Sequence, residues 1–217
     1  MRLKQLYKAI KPFQLISLLL TYSLGVGLVQ YVDEIRNWVD VWLGGIFLLL
    51  VTLSVEFLVL LKPSKRQNDW LKGLSYGDAR RFRLITASLS ATLLTIAVTI
   101  FIGWMVGSVL WQGLIFLILI LVLSYTLYYL AQVLVTWNPF QILFEGILFV
   151  VLPPAFAYFL QSQDLHRLLS LVVIGLVPAY WAYRLLTLLK TWGADQSNDT
   201  RTIVTEIGWE RSMTLHN

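Results

Sequence analysis

The chain contains no cysteine and few charged residues, and these two shortages exclude several classes of protein. Without cysteine there are no disulfides, no thiolate metal ligands and no thiol nucleophile. Charged residues make up 13% of the 217 residues, hydrophobic residues make up 58%, and the mean hydropathy is +0.71. Soluble domains carry about 25% charged residues. The composition therefore excludes a water-soluble domain and a disordered chain, and we expect no nucleic-acid partner.

The hydrophobic residues lie in long runs, which is typical of a polytopic membrane protein. One helical crossing takes about 20 residues, so each run is long enough for one crossing and none for two. The sequence predicts a single all-α transmembrane domain, 1–217. Its six helices are predicted at Phe13–Tyr31, Val41–Leu61, Leu84–Trp104, Leu110–Leu130, Phe140–Leu160 and Leu168–Leu189.

Glycine is expected to form a turn between two of these runs, and proline is expected to interrupt two others. Gly103 and Gly107 bracket a short segment between the third and fourth runs, and we expect a tight turn at the water boundary over 103–108. Pro153-Pro154 is expected to break the fifth helix late in its span, and Pro178 to interrupt the sixth. Trp104 is one of several tryptophans near predicted span ends, where aromatic belts form.

Lysine and arginine fall mainly on one side of a six-helix bundle, which sets its orientation. That side receives the N-terminal segment, a basic loop at 62–83 and a tail at 190–217, whereas the other side receives Arg36 and Arg167. Cytoplasmic loops are the basic ones in membrane proteins. The sequence therefore predicts a protein of a bacterial-type cytoplasmic membrane with both termini in the cytoplasm.

Three charged residues lie inside predicted spans, where charge is costly and often functional. Glu56, Glu145 and Arg184 lie at similar depths from the inner ends of the second, fifth and sixth helices. We expect them to form one buried polar layer. The layer is either an ion pair that fixes helix packing or the polar floor of a cavity open to the inner side, and the two interpretations are compatible. His166 and His216 are interpreted as solvated histidines rather than ligands of a metal or pigment.

Four short segments resemble the UbiA superfamily of intramembrane prenyltransferases, most closely its naphthoquinone- and chlorophyll-type members. They are Lys11-Pro12 at the mouth of the first helix, Tyr76–Arg81 after the loop, Glu145-Gly146 in the fifth helix and Thr202–Gly208 in the tail. The family attaches polyprenyl chains to aromatic acceptors. The resemblance implies a diphosphate held by magnesium ions on two cytosolic aspartate motifs, because carboxylates gather hard cations that neutralise the departing charge.

The sequence departs from the family at those metal-binding positions. In the first motif the aligned residues are Val59, Pro63 and Gln67, none of which binds magnesium. In the second motif they are Thr191 and Asp195, so one aspartate of two is kept. Asp195 and Asp199 are the weak candidates that remain for a metal, and we expect no metal site.

These departures favour a non-catalytic relative over an enzyme. We expect an accessory or structural subunit of a respiratory or photosynthetic membrane complex that requires no cofactor and holds a quinone, an isoprenoid or a chlorophyll-type pigment. Family members have more helices than the six predicted here, so we expect lipid or other transmembrane subunits to cover the exposed flank. Two alternatives stay open: an active Mg²⁺-dependent prenyltransferase and an unrelated small transporter.

Overall fold

The computed structural model describes residues 12–32, 35, 37–61, 76–107, 118, 122–123, 125–126, 129, 141–162, 166–197 and 202–216. Every regular element in these ranges is helical, which confirms the predicted all-α class for the described part of the chain. The elements are α1 (Pro12–Val32), α2 (Trp38–Leu61), α3 (Tyr76–Gly107), α4 (Gln141–Gly146), a π-helical turn (Ile147–Val151), α5 (Leu152–Phe159), α6 (Arg167–Ser197), α7 (Ile203–Ile207) and α8 (Trp209–His216).

Five helical stretches in the described ranges are long and apolar enough to cross a membrane. They are Phe13–Val32, Trp38–Val59, Arg80–Trp104, Ile142–Phe159 and Arg167–Gly193, and they match the first, second, third, fifth and sixth predicted spans. The fourth predicted span, Leu110–Leu130, lies mostly outside the described residues. Its few described residues are helical. A sixth crossing stays a prediction.

Helix α3 is longer than the sequence predicts at both ends. It begins at Tyr76, so the last eight residues of the predicted basic loop form its first turns. Arg80, Arg81 and Arg83 are exposed there. Hydropathy marks only the apolar part of a helix, whereas arginine and alanine continue a helix readily beyond it. Likewise α6 continues to Ser197, into the segment predicted as a tail.

The turn predicted over 103–108 is wrong in its described part, since α3 continues through Gly107. One glycine inside a helix costs only about 1 kcal/mol relative to alanine. Packing of Trp104 offsets that cost. Its ring contacts the rings of Phe47 and Phe156 edge-on, with ring centroids 5.7 and 6.1 Å apart. Its indole nitrogen also donates to Asp40 Oδ1 at 3.1 Å. Trp104 is buried, so it is not a residue of an exposed aromatic belt.

Pro153-Pro154 interrupts the regular α-helix of the fifth span, as predicted, but does not end the span: a π-helical turn separates α4 from α5. Residues 141–159 run on through the π-helical turn, with both prolines in the first turn of α5. A helical carbonyl accepts from the N–H four residues later in an α-helix, or five residues later in a π-helix. For Phe149 these two residues are Pro153 and Pro154, and proline has no N–H to donate. Thr21 of α1 supplies a donor instead, with its Oγ1 donating to Phe149 O at 2.7 Å. Pro178, by contrast, lies inside a continuous α6, so the predicted interruption of the sixth span is wrong.

Close packing of α1 against α5 centres on a glycine. A Cβ atom added at Gly25 would lie 2.5 Å from Pro154 Cα and 2.6 Å from its carbonyl oxygen. The two backbones can approach this closely only because Gly25 has no side chain. Leu18, Phe149 and Phe156 are fully buried in the same core. This approach brings the start of α1 next to the fifth span and so positions the polar site.

Candidate functional site

The polar site is an ion pair buried between α1, α4 and α6. Arg184 Nε donates to Glu145 Oε2 at 2.5 Å, and Arg184 Nη2 donates to Oε1 at 3.0 Å. Gln14 Nε2 also donates to Oε1, at 3.0 Å. The Glu145 carboxylate is fully buried. Two parallel N–H···O bonds fix the guanidinium and the carboxylate in one plane, so the pair joins three helices in a defined geometry.

Gly146 explains how α6 comes close enough for this pairing. A Cβ atom at Gly146 would collide with the indole nitrogen of Trp181. The glycine therefore lets the Trp181 ring lie directly on the α4 backbone. Arg184 follows Trp181 by three residues on α6, which places the guanidinium on a nearby face at the level of Glu145. The segment Glu145-Gly146 thus supplies both the charge and the space that the ion pair needs.

Glu56 is buried on α2. Thr52, one turn earlier on the same helix, shares a short hydrogen bond with the Tyr125 hydroxyl. The structure therefore brings Glu145 and Arg184 into contact, and it places Glu56 one helical turn after Thr52, the partner of Tyr125. The first interpretation, an ion pair that fixes helix packing, describes Glu145 and Arg184 well.

The second motif of the resemblance forms a local hydrogen bond. Thr191 Oγ1 donates to Asp195 Oδ2 at 2.8 Å, across one turn of α6. Asp195 is fully buried. Of the first-motif positions, Val59 is buried on α2, whereas Pro63 and Gln67 lie outside the described residues, as does Asp199. In the described ranges no three His, Cys, Asp or Glu residues are grouped as a metal site would require.

The tail motif Thr202–Gly208 forms a short helix with a cap at each end. Thr205 N donates to Thr202 Oγ1 at 3.2 Å, and Thr202 N donates to Thr205 Oγ1 at 2.7 Å. Gly208 follows with a φ of +83°, a conformation that glycine adopts without strain. Val204 is fully buried with Ile142 and Leu185. The motif therefore packs α7 onto α6 near the ion pair.

His166 lies on the surface just before α6, where its Nδ1 accepts a hydrogen bond from Leu168 N at 3.2 Å. An acceptor in this position satisfies one of the free N–H groups at the start of a helix. This contact gives His166 a local structural role. His216 lies in α8, and its side chain lies outside the described part of the structure.

An apolar cavity of about 330 Å³ lies between α2, α3 and the described residues of the fourth predicted span. Its walls are almost entirely hydrocarbon, with Ser54 and Tyr125 among the few polar residues. Other lining residues include Val51, Val55, Leu94 and Phe101. Glu145 and Arg184 are not among the lining residues. This cavity is therefore not the one with a polar floor that the sequence suggests. A cavity of this kind accepts an apolar molecule rather than an ion.

Sequence reasoning missed Gln14, Tyr180 and Trp181, which surround the ion pair. Charged residues stand out in an apolar span, whereas neutral polar residues do not. Gln14 carried a usable signal, because an amide in an apolar run tends to hydrogen-bond across helices. Tyr180 and Trp181 gave no such signal, because aromatic residues are common in spans. The surroundings of their polar atoms depend on how the neighbouring helices pack.

Comparison of the chain with protein-family models, with curated proteins and with solved structures gives no match.

Proposed function

We propose that the chain is a non-catalytic, UbiA-like membrane protein that serves as an accessory or structural subunit of a membrane complex. In that role it holds a quinone, an isoprenoid or a chlorophyll-type pigment. The observation that carries the proposal is the hydrogen bond between Thr191 and Asp195. In the UbiA superfamily the matching positions belong to a magnesium site, but in this chain the two side chains contact each other.

Asp195 is badly placed for magnesium chemistry. Mg²⁺ prefers six oxygen ligands at about 2.0–2.1 Å and usually keeps several waters, so its site must be hydrated and offer free carboxylate oxygens. The Asp195 carboxylate is fully buried, and one of its oxygens accepts from Thr191. A buried carboxylate held within one turn of its own helix supports a structural role at the end of α6.

The apolar cavity supports the holding role. Small-molecule sites commonly occupy about 300–1,000 Å³ and are lined mainly by apolar and aromatic side chains. The cavity between α2 and α3 lies within that range. An isoprenoid chain matches its hydrocarbon walls. A polar head group would find few polar partners there, among them Ser54 and Tyr125.

The surface of α3 supports a role as a subunit. Leu84, Ile96 and Ile102 are exposed on this helix. Thr92 and Thr95 are exposed as well, but their hydroxyls donate to carbonyls of the preceding turn. Hydroxyls satisfied in this way do not need water. The helix is thus compatible with contact to lipid or to another transmembrane helix.

We further propose a bacterial-type cytoplasmic membrane as the location, with both termini in the cytoplasm. The support is the unequal distribution of lysine and arginine along the sequence. Epitope tags at Met1 and Asn217 should both be accessible from the cytoplasmic side of sealed vesicles and protected from the other side. Tags on opposite sides would contradict the six-span arrangement.

A prenyl-transfer assay tests the non-catalytic role. The purified protein in lipid vesicles, given a polyprenyl diphosphate, an aromatic acceptor and Mg²⁺, should form no more product than protein-free vesicles. The physical reason is that the second-motif carboxylate is buried and hydrogen-bonded. An active member of the superfamily in the same vesicles is the positive control. Product formation that a chelator abolishes and that Asp195→Asn reduces would overturn the proposal.

A further inference from the structure

The first turns of α3 carry three exposed arginines, Arg80, Arg81 and Arg83. They open the candidate span Arg80–Trp104, whose apolar run begins directly after them at Leu84. No carboxylate in the described ranges forms an ion pair with any of the three. Three guanidinium groups therefore lie at the edge of the membrane core without a negative partner from the described part of the chain.

The sequence concentrates positive charge at this end of α3. The basic loop at 62–83 contains seven lysines and arginines against two aspartates, so its net charge of +5 equals that of the whole chain. Clusters of about four to eight basic residues directly beside a transmembrane helix attract anionic lipids. This end of the helix therefore favours a partner with negative charge.

A pair of hydrogen bonds between α2 and α3 sets the depth of the arginines. Ser54 Oγ donates to the Ser90 carbonyl, and Ser90 Oγ donates to the Ser54 carbonyl, both at 2.9 Å. A second contact, fourteen residues away along each helix, shows that the two helices run antiparallel. Counting seven residues from each serine places Arg83 level with Leu61, the last residue of α2. The arginines thus lie at the common inner end of both helices.

Two of the three arginines lie on the face of α3 that borders the apolar cavity. At about 100° per residue, Arg83 lies about 20° around the helix from the lining residue Leu94, and Arg80 lies about 40° from it. Arg81 lies about 140° away, on the other side of the helix. Leu94 and Val98 line the cavity and are also 44% and 46% exposed, so the cavity opens onto this face.

Small side chains cover this face between the arginines and the cavity. Ala87 is half-buried and Ala91 is exposed. From Arg83 to Leu94 the helix rises about 16 Å over eleven residues. One leaflet is half of the hydrocarbon core, or about 15 Å. The acyl chain of a lipid with its head group at Arg83 would therefore end near the cavity opening.

We infer that an anionic phospholipid binds to α3, with its phosphate on Arg80 and Arg83 and one acyl chain along Ala87 and Ala91. Arginine presents several N–H donors that match the oxygens of a phosphate group. A choline head group carries its own positive charge, so a zwitterionic lipid gains less from the two guanidinium groups. The inference goes beyond the proposed function, since it requires neither a partner subunit nor a molecule held in the cavity.

Lipid titration of the full chain in a non-ionic detergent tests the site. Native mass spectrometry gives the dissociation constant of the first bound lipid for dioleoylphosphatidylglycerol and dioleoylphosphatidylcholine, with inorganic phosphate as a competitor. The head-group variants are Arg80→Gln and Arg83→Gln, and the matched control is Arg81→Gln, which removes the same charge from the other side of the helix. The chain variant is Ala91→Phe, and its control is Thr92→Phe at the next exposed position. Thermal unfolding without lipid reports on the fold of each variant.

We expect each head-group variant to weaken the binding of phosphatidylglycerol about fivefold and the double variant about 25-fold, since one basic residue near a membrane surface contributes about 1 kcal/mol. Arg81→Gln should change this constant less than about twofold. Phosphatidylcholine should bind more weakly to the wild type and equally to all arginine variants. Ala91→Phe should weaken the binding of phosphatidylglycerol because the ring blocks the path of the chain, whereas Thr92→Phe should not.

Equal binding of phosphatidylglycerol by the wild type, Arg80→Gln and Arg83→Gln would overturn the inference. An equal loss in Arg81→Gln would also overturn it, since the total charge of the helix end and not one face would then attract the lipid. Displacement of the lipid by an excess of inorganic phosphate would mean that the arginines bind a free anion, and the lipid site would fail. A loss in Thr92→Phe as large as in Ala91→Phe would contradict the chain path.

Discussion

Arg184→Ala is expected to destabilise the bundle by about 3–5 kcal/mol, the usual cost of removing one partner from a buried ion pair. The variant leaves the fully buried Glu145 carboxylate without its guanidinium. Gln14 would still donate to one carboxylate oxygen, which keeps the loss from being larger. The free energy of unfolding in mixed micelles, measured by denaturant titration, gives the effect.

The matched control for this variant is Arg167→Ala, at the exposed first residue of the same helix. Substitutions at such surface positions usually change stability by about 0.5 kcal/mol or less. The double variant Glu145→Gln with Arg184→Ala removes both charges and should be more stable than Arg184→Ala alone. If Arg184→Ala cost no more than Arg167→Ala, the ion pair would have no structural role.

Gly25→Ala is expected to cost about 1–3 kcal/mol or more, as overpacking of a tight core does. The added methyl group would meet backbone atoms of Pro154, and backbone cannot move aside as a flexible side chain can. The contact therefore forces α1 away from α5. A lower melting temperature of the purified protein would report the loss.

Gly27→Ala is the control for this second substitution. The two glycines lie two residues apart on α1, but a Cβ at Gly27 meets nothing within 4 Å. Alanine is also the better helix former by about 1 kcal/mol. Gly27→Ala should therefore be neutral or slightly stabilising. Equal losses in both variants would show that α1 and α5 do not pack as described.

The sequence predicted the apolar cores of five described helices because each must bury about 20 residues in lipid, and hydropathy reports that requirement directly. It failed at the ends of α3, since helix formation continues where hydropathy falls. It failed at Gly103 as well, because the rings that hold Trp104 in place come from other elements. The local glycine signal was outweighed by tertiary contacts of Trp104 that no local sequence pattern contains.

The candidate site was partly accessible from the sequence for one physical reason. A charge deep in a span must be paired, and this requirement alone predicted that Glu145 and Arg184 lie together. The hydrogen bond between Thr191 and Asp195 was not predicted, because hydropathy ends the sixth span at Leu189 and leaves both residues in the tail. The roles of Gly146, Tyr180 and Trp181 depend on how closely α6 approaches α4. Only the packed structure contains that distance.

We propose that this protein is a subunit that holds an apolar molecule. Native mass spectrometry of the protein, released from its own membranes by mild detergent, tests it most directly. We expect a complex whose mass equals the chain, a second transmembrane chain in fixed ratio, and a bound quinone, isoprenoid or pigment that stays after bulk lipid is removed. A bare monomer carrying only exchangeable phospholipid would contradict the claim.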